Sequence, residues 1–339
     1  MNARDSQDSI CVVVVNYNGG AMIGRCLDAL AEQSLQDFEV IVVDNGSSDG
    51  SLEALRARPE RFAKASRFRL LEAGGNLGFA RANNLAIGET KATWIATLNP
   101  DAYAAPDWLA EMLAGVRRHP HAVAFGATLL EAARPDRLDG AGDVFHASGL
   151  AWRGAHGYGV DRLPGEGEVF APCAAAAFYR REAVQAIGGF DGRYFCYLED
   201  VDLGFRLRLA GQSCVQLPKA VVRHESSGIA GRRSAFAVYH GQRNLLWTFV
   251  KDMPGPLLAT LLPVHALAQL LLLARNLPRG TLGPAVRGLR DGLRGLPEIW
   301  RARRRVQRAR RISWLALAPM LSWWSHAPFT RAPKIWRKT

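Results

Sequence analysis

The chain has 339 residues, of which 48% are hydrophobic, enough for one large domain with an appendage or for two domains. Its net charge of +12 is unevenly placed: residues 256–339 carry 16 Lys and Arg but 2 Asp and Glu, and such a basic tail indicates a polyanionic partner, either nucleic acid or an anionic membrane surface. The five cysteines show no CxxC or other metal-ligand spacing, which argues against a cysteine metal site and favours a reduced, cytosolic compartment.

The first hundred residues alternate predicted strands with predicted helices. The polar start MNARDSQDS is not typical of a signal peptide. Continuous apolar, β-branched runs predict buried parallel strands, and helical periodicity predicts the segments between them. Strands are expected at 10–15, 38–44, 68–73 and 92–101, and helices at 21–33, at 51–62 and after the loop that begins at 74. The alternation predicts an α/β fold with a doubly wound, mostly parallel sheet.

The second part of the chain, about 123–225, is predicted to contain mixed strands and loops with one strong helix at 199–210. Its glycine-rich segment 153–168 is expected to be a mobile loop. The sequence KDMPGP then marks a boundary. We therefore expect one domain over 1–255 and a basic, amphipathic helical tail over 256–339.

Polar side chains follow three predicted strands, at 16–18, 44–49 and 99–101. In doubly wound sheets, ligands bind outside the carboxyl ends of the strands. An acid such as Asp44 can bind ribose hydroxyls or a base N–H there, and the small residues after it let the backbone approach a ligand. A turn with capping side chains explains the same pattern equally well.

The predicted helix at 199 begins with three acids, Glu199, Asp200 and Asp202. Acids in a first turn complement the helix dipole, and Asp202 can pair with Arg206 one turn later. These two roles leave at least one carboxylate for another purpose, and a general base for an acceptor hydroxyl is one such purpose. Asp200 is favoured as the base, and Glu199 remains the alternative.

Asp101 and His224 are candidate ligands of a hard divalent cation. A departing diphosphate needs its charge neutralised, and Mg²⁺ or Mn²⁺ held by one or two side chains can do this. A histidine ligand tilts the choice towards Mn²⁺. Taken singly, Asp101 is as readily a turn cap, and a lone histidine is more often structural.

The absence of two sequence motifs argues against two other classes of enzyme. The segment GGNLG does not form GxGxxG, which disfavours a dinucleotide-binding oxidoreductase. The sequence GxxxxGK[ST] is absent as well, which disfavours P-loop phosphoryl transfer.

Taken together, the motifs resemble the family 2 inverting glycosyltransferases of the GT-A fold, and among them the rhamnosyltransferase-like branch of bacterial surface-polysaccharide assembly. The resemblance covers about 1–250 in the family's order and spacing, and it is carried by VVVVNYNGG, VVDNGSSDGS, NLGFARANN, LNPD, GGFDGRYFCYLEDVDLGFRLRLAG and His224. It implies a metal-dependent inverting transfer of a sugar from a nucleotide diphosphate donor.

The resemblance also implies roles for single residues. Asp44 contacts the nucleoside, Asp101 the metal–diphosphate, His224 the metal, and Asp200 acts as the base. The residues implied in donor binding are Asn16, Asn18, Asp44, Asn45, Asn76, Gly78, Asn83 and Asn99. Asn99 stands where the family often has the first Asp of an Asp-x-Asp motif, and the Asn-Pro-Asp form is common in the branch that this chain resembles.

The tail contains an apolar run at 257–274, interrupted by Pro263, His265 and Gln269. A spanning helix needs about 20 largely apolar residues, so the run is of borderline length. A span would also place the basic tail outside, against the positive-inside tendency. Five of the nine Trp lie at 300–339, and Trp beside Arg suits the headgroup layer. An interfacial helix is favoured, with a spanning helix or one packed on the protein as alternatives.

We therefore expect an enzyme that takes a nucleotide-diphosphate sugar, such as dTDP-rhamnose, and a lipid-linked saccharide acceptor. It is expected as a peripheral or monotopic protein at the cytoplasmic face of the inner membrane. The tail is expected to bind an anionic membrane surface and not nucleic acid, because no nucleic-acid-binding fold signature accompanies its arginines. The alternative is a catalytically silent GT-A-fold membrane scaffold, which would not hydrolyse the donor.

Overall fold

In the computed structural model, residues 8–57, 68–226 and 234–336 are described. The strands are β1 Ile10–Asn16, β2 Glu39–Asp44, β3 Phe68–Glu72, β4 Trp94–Leu98, β5 Ala102–Ala104, β6 Ala122–Glu131, β7 Arg134–Ala141, β8 Asp143–Phe145, β9 Ala151–Arg153, β10 Gly167–Glu168, β11 Ala176–Arg180 and β12 Ser213–His224. The α-helices are α1 Gly20–Ala31, α2 Ser51–Arg56, α3 Phe79–Glu89, α4 Trp108–Arg118, α5 Arg181–Ala186, α6 Glu199–Leu209, α7 Ala235–Asp252, α8 Gly255–Asn276, α9 Leu282–Arg294, α10 Leu296–Ala309, α11 Trp314–Leu317 and α12 Ala327–Thr330.

One large sheet organises the N-terminal part of the chain. Its order is β10-β12-β6-β11-β4-β1-β2-β3, with β5 beside β12 and β7 beside β6. β1 is parallel to β2 and β4, and β2 is parallel to β3. β11 is antiparallel to β4 and β6, and β6 is parallel to β12. The carboxyl ends of β1, β2, β4 and β12 therefore lie at the same edge, and the predicted mostly parallel α/β fold is confirmed.

Both faces of the sheet are covered by helices. Val12 and Val14 of β1 face a core cluster that includes Leu27 of α1. Val13 faces the opposite cluster, which includes Leu203 of α6. Because neither face meets water, a strand such as β1 can be apolar at every position, which is why the run ICVVVV predicted a buried parallel strand.

The predicted boundaries hold with small differences. The strand predicted at 92–101 ends at Leu98, and the Asn-Pro-Asp turn follows it. The helix predicted at 51–62 is present as α2 to Arg56, and residues 58–67 lie outside the described part of the chain.

The glycine-rich segment 153–168, predicted to be a mobile loop, begins and ends in strands. Gly167 and Glu168 form β10, which pairs with β12. Between the strands, Glu166 accepts hydrogen bonds from Arg118 and His119 at 2.9 and 2.7 Å. The segment is therefore anchored at both ends and at Glu166.

The C-terminal helices share a core with the sheet domain. Phe205 of α6, Phe249 of α7, Ile299 of α10 and Leu317 of α11 belong to one buried cluster. The KDMPGP turn separates α7 from α8, and the helices after it cover the same core that α7 covers. The division into a domain over 1–255 and a tail remains a prediction.

Helix α8 turns its polar side chains towards the protein. The ring of His265 stacks on Phe249 with centroids 4.0 Å apart, and its Nδ1 lies 2.8 Å from the carbonyl oxygen of Ser148. Gln269 lies 3.1 Å from Nε2 of the same ring. The outward face is apolar and 45–60% exposed, with Leu262, Val264, Leu267, Leu270 and Leu271. By length and composition the segment Gly255–Arg279 could cross a membrane, and 28% of its most apolar window is buried.

Candidate active site

Asn16 and Asp44 end the neighbouring strands β1 and β2, and both are buried. Nδ2 of Asn16 donates to Oδ1 of Asp44 at 3.0 Å and to the hydroxyls of Ser47 and Ser51 at 3.0 and 2.9 Å. Oδ2 of Asp44 accepts from the backbone N–H groups of Gly46 and Ser47 at 3.2 and 3.1 Å. Asp44 therefore organises the turn at the carboxyl edge of the sheet, where the sequence placed it.

The loop that precedes α3 lies against this turn. Nδ2 of Asn45 donates to Oδ1 of Asn76 at 3.0 Å, and Oδ1 of Asn45 accepts from the N–H of Leu77 at 2.8 Å. Gly46 has a φ of 83°, and a Cβ there would lie 2.8 Å from the backbone of Gly75. Only glycine allows the two loops to approach this closely.

The remaining donor-binding candidates differ in position. Oδ1 of Asn18 accepts from the N–H of Ser48 at 2.8 Å, so Asn18 belongs to the same cluster. Gly78 precedes α3, and a Cβ there would lie 2.6 Å from Phe195, in the loop before α6. Asn83 is buried within α3 and donates to a carbonyl of its own helix at 2.9 Å. The hydrogen bonds thus join Asn18 to the strand-end cluster but not Asn83.

Asp101 and His224 lie side by side at the same edge. Nε2 of His224 is 3.3 Å from Oδ1 of Asp101 and 3.4 Å from Nδ2 of Asn99. On the other side of the ring, Nδ1 is 2.8 Å from Oδ2 of Asp139. The two ligands proposed from the sequence are therefore in contact, together with a carboxylate from β7 that the sequence did not indicate.

The charges around His224 shift its titration and that of Asp139. Burial alone would lower the pKa of His224, but hydrogen bonds with the carboxylates of Asp101 and Asp139 outweigh burial and raise it. Burial alone would raise the pKa of Asp139, but Arg153, His156 and His224 hold that pKa far below its ordinary value. Asp139 is therefore ionised at neutral pH.

These residues suit a hard divalent cation. A metal-binding histidine commonly donates its second ring N–H to a carboxylate, and Asp139 is placed to accept that proton from Nδ1. The Nε2 lone pair then faces Asp101, whose carboxylate is the kind of ligand that Mg²⁺ and Mn²⁺ accept. The donor set fits such an ion, which Asp101 and His224 would hold.

The three acids at the start of α6 have different environments. Asp202 pairs with Arg206 at 2.7 Å, as predicted. Glu199 is 6% exposed, and its burial, together with the neighbouring Asp200, raises its pKa well above the ordinary value. Asp200 is half-buried, and its Oδ2 accepts from the backbone N–H of Ala174 at 3.1 Å.

Asp200 and Glu199 line a cavity of about 360 Å³, which we call the catalytic cavity. Asn99 lines it as well. Because Nδ2 of Asn99 also lies 3.4 Å from His224, Asn99 connects this cavity to the metal-ligand candidates.

Two further ionisable side chains, Asp143 and Arg153, line the catalytic cavity. Asp143 is buried, and a carboxylate oxygen lies within 4.8 Å of one of Asp200. Burial and the nearby Asp200 raise the pKa of Asp143 well above its ordinary value, which favours its neutral form. Arg153 pairs with Asp139, and its Nη1 lies 3.4 Å from Nδ1 of His224. Arg153 thus brings positive charge to the wall between the base candidates and the metal-ligand candidates.

The chain enters α6 through a strained turn that α7 holds in place. Three non-glycine residues there have φ between 64° and 68°, namely Phe195, Tyr197 and Leu198. Such conformations persist only where surrounding structure imposes them. Nδ2 of Asn244 lies 3.0, 2.9 and 2.7 Å from the carbonyl oxygens of Tyr194, Cys196 and Tyr197. Asn244 therefore positions the turn that presents Glu199 and Asp200.

Sequence reasoning missed four of these residues: Asp139, Asp143, Arg153 and Asn244. The only local signal is the segment LDGAGD, which places two acids among glycines. Arg153 lies at the start of the glycine-rich segment, and Asn244 lies inside a helix. The sequence around Arg153 and Asn244 does not indicate that either side chain contacts another helix or strand.

Solved glycosyltransferases share this fold. A mannosyltransferase from Pyrobaculum calidifontis, in complex with GDP-Man and Mn²⁺, aligns with a TM-score of 0.55 at 20% identity over 91% of this chain and 86% of that one. Residues 1–349 of S. aureus TarS in complex with UDP-GlcNAc align with a TM-score of 0.54 at 17% identity, over 89% and 87%. The chain has the GT-A fold.

Sequence comparison identifies the family. A family model described as glycosyl transferase family 2 matches residues 11–188. An N-acetylglucosaminyl-diphospho-decaprenol L-rhamnosyltransferase of Mycobacterium tuberculosis is 32% identical over 265 residues, 69% of this chain and 82% of the relative. A PGL/p-HBAD biosynthesis glycosyltransferase of Mycobacterium bovis is 28% identical over 63% of this chain and 72% of that protein. The chain belongs to glycosyl transferase family 2 and is a glycosyltransferase.

Proposed function

We propose that this glycosyltransferase moves a sugar from a nucleotide diphosphate donor onto a saccharide acceptor with inversion at the anomeric carbon. The observation that carries the proposal is the continuity of the site. Asn99 lines the catalytic cavity together with Asp200, and its amide lies beside the contact between His224 and Asp101. The proposed base thus lines the cavity, and Asn99 links that cavity to the proposed diphosphate-binding residues.

Asp200 is the proposed general base. Glu199 is more deeply buried, and burial raises its pKa well above the ordinary value, which favours its protonated form and disfavours it as the base. Asp200 lines the same cavity. Its carboxylate takes the proton of the acceptor hydroxyl as the oxygen attacks the anomeric carbon, and the bond to the donor diphosphate breaks on the opposite face.

Asp101 and His224 are the proposed ligands of Mg²⁺ or Mn²⁺. A bound cation would neutralise the charge that develops on the departing diphosphate. Asp139 orients the imidazole of His224, and Arg153 brings further positive charge to the cavity. The Mn²⁺ in the Pyrobaculum calidifontis mannosyltransferase supports a cation of this class.

The strand-end cluster is the proposed donor site. Asp44 is expected to contact the nucleoside, since it ends β2 at the edge where ligands bind in such sheets. The proposed donor-binding residues are Asn16, Asn18, Asp44, Asn45, Asn76, Gly78, Asn83 and Asn99. Asn83 has the weakest support, because its amide donates within its own helix.

The proposed sugar is rhamnose, from dTDP-rhamnose or a similar donor, and the proposed acceptor is a lipid-linked saccharide of cell-surface polysaccharide synthesis. The name of the Mycobacterium tuberculosis relative supports both. The exposed apolar face of α8 supports an acceptor held at a membrane.

We also propose that the tail binds the cytoplasmic membrane face as an interfacial element. Because His265 and Gln269 bond to the protein, α8 presents a continuous apolar surface outwards without exposing these polar groups. Trp323, Trp324 and Phe329 add 49–85% exposed aromatic side chains near basic residues. A nucleotide-sugar donor made in the cytosol would require the site to lie on the cytoplasmic side of the membrane.

The test is transfer by purified full-length protein to a polyprenyl-diphosphate-linked N-acetylglucosamine, with a panel of nucleotide sugars and mass spectrometry of the products. A product one deoxyhexose heavier, formed with dTDP-rhamnose, is expected. Product formation with another sugar alone would overturn the choice of rhamnose. Neither transfer nor donor hydrolysis with any donor would favour a silent scaffold.

A further inference from the structure

A second cavity, of about 570 Å³, lies between the turn after α5 and helix α10. We call it the α10 cavity. Its volume falls within the range of about 300–1,000 Å³ that small-molecule sites occupy. Among the described residues it shares no lining residue with the catalytic cavity. Both touch α6, but Arg206 lies six residues beyond Asp200, about 9 Å along the helix.

The floor of the α10 cavity is a buried ion-pair network. Asp191 contacts Arg193 and Lys251, each at 2.5 Å, and Asp202 pairs with Arg206 at 2.7 Å. Lys251 also contacts Asp202. Arg193 also lies 3.8 Å from Glu298 of α10, so three cations face three carboxylates and the floor has no surplus of negative charge.

One further acid lies beside this network. Asp252 is fully buried, and its burial, together with the charge of Asp202, raises its pKa well above the ordinary value. Burial thus disfavours the charged form of Asp252, which would otherwise add negative charge to the floor.

The opposite wall adds three arginines from the end of α10 and the residues after it, Arg305, Arg310 and Arg311. Within 8–57, 68–226 and 234–336, none of these three forms an ion pair with a carboxylate. Nη1 of Arg310 donates to the carbonyl oxygen of Ile312 at 3.0 Å, which leaves the other guanidinium N–H groups available. The α10 cavity is therefore lined by cations on two sides, with apolar side chains such as Leu209 and Val306 between them.

We propose that the α10 cavity is a binding site for a phosphate ester, held by Arg305, Arg310 and Arg311. Arginine forks match phosphate oxygens and bind them through paired charge-assisted hydrogen bonds. Two sources carry this group, the headgroup of an anionic phospholipid and a soluble phosphate. The site is separate from sugar transfer and does not depend on it.

Helix α10 offers a matched control for testing this site. Arg304 and Arg308 lie on the same helix, are exposed, and do not line the cavity. The double variant R305E/R311E and the double variant R304E/R308E change the net charge equally. If the phosphate ester binds in the cavity, R305E/R311E should weaken its binding and R304E/R308E should not. If it is attracted only by the overall charge of the tail, both variants should weaken binding equally.

Full-length proteins would be titrated by calorimetry with inorganic phosphate, with glycerol-1-phosphate and with a short-chain phosphatidylglycerol kept monomeric. Wild type and R304E/R308E are expected to bind at least one of these probes alike, and R305E/R311E at least about tenfold more weakly. Binding of the short-chain lipid alone assigns the headgroup source, and binding of the small phosphates assigns the soluble one. No binding by wild type, or equal loss in both variants, would overturn the proposal. Donor binding, measured in parallel, is expected to be unchanged in both variants, which separates this site from the proposed function.

Discussion

The carboxylate of Asp139 lies 2.8 Å from Nδ1 of His224, on the side of the imidazole opposite Asp101. The two residues come from β7 and from the end of β12, and both are buried. This contact gives the histidine a fixed ring orientation. It also directs Nε2 towards Asp101, which is what shared coordination of a cation requires.

The first prediction concerns this contact. Asp139→Asn removes the charge that holds the imidazole and is expected to weaken Mn²⁺ binding about 10- to 100-fold. Electron paramagnetic resonance of free Mn²⁺ measures the affinity. Asp136→Asn on the same strand is the control, because the Asp136 side chain is 76% exposed. Equal affinity of both variants and wild type would show that Asp139 does not support a metal ligand.

The second prediction concerns pH. The pKa of His224 is raised in the folded, metal-free protein, so its charged form stabilises the fold. That stabilisation is fully present below about pH 6.5, the unfolded value, and is lost as pH rises through the folded pKa. Thermal unfolding of metal-free His224→Gln is therefore expected to show a larger deficit against wild type at pH 5.5 than at pH 9. The exposed His121→Gln serves as the control, and a deficit independent of pH would contradict the assignment.

The third prediction follows because a metal ligand must be a neutral imidazole. Mn²⁺ competes with the proton on His224, so the apparent affinity is expected to rise with pH, by up to about tenfold per unit below the pKa. It should level off above that pKa. Calorimetry in two buffers of different ionisation enthalpy would detect the released proton. A flat profile from pH 6 to 9 would mean that His224 does not bind the ion.

The fourth prediction separates the two acids of the catalytic cavity. Asp200→Asn is expected to slow transfer by about 100- to 10,000-fold, with the donor dissociation constant changed by no more than a few-fold. Glu199→Gln should retain most of the activity, because glutamine resembles the protonated acid that burial favours. Single-turnover transfer and donor titration measure both effects. The reverse order of activities would assign the base to Glu199.

The fifth prediction concerns the strained turn before α6. Asn244→Ala removes a donor from the carbonyl oxygens of Tyr194, Cys196 and Tyr197, although Arg243 still donates to that of Tyr194, and is expected to lower the free energy of unfolding by about 1–3 kcal/mol. Hydrogen exchange of residues 194–198 should accelerate. Asn276→Ala is the control, since its Nδ2 donates within its own helix at 2.8 Å and its Oδ1 accepts from the hydroxyl of Thr281 at 2.7 Å, away from the turn before α6. Equal effects of the two substitutions would mean that Asn244 has no special role in holding the turn.

The membrane proposal can be tested without truncation, which would uncover the core that the tail helices share with α6 and α7. The variant L267D/L271D places two charges on the outer face of α8. Co-sedimentation with phosphatidylglycerol liposomes should fall, most clearly at high salt, where surface charges are screened. L85D/V160D, at exposed apolar positions elsewhere, should bind as wild type does. Complete release of wild type by salt would show that the apolar face does not enter the membrane.

Much of the fold followed from local patterns. The run ICVVVV is apolar at every position because both faces of β1 are buried, and the alternation of such runs with helices is enough to predict the sheet. Strand ends at Asn16, Asp44 and Asn99 could be recognised because a polar residue after a buried strand must lie at the sheet edge. The pairing of Asp202 with Arg206 followed from helical spacing alone.

Contacts between distant residues were decided only by the tertiary structure. Asp139 and His224 are 85 residues apart, and they meet because β6 pairs with both β7 and β12. The raised pKa of Glu199 depends on burial, which helical spacing does not determine. Likewise, the sequence determined that 257–274 is an apolar helix, but the partners of His265 and Gln269 decided which face turns outwards. Periodicity specifies a residue's place on its own element, whereas its neighbours across space depend on how the elements pack.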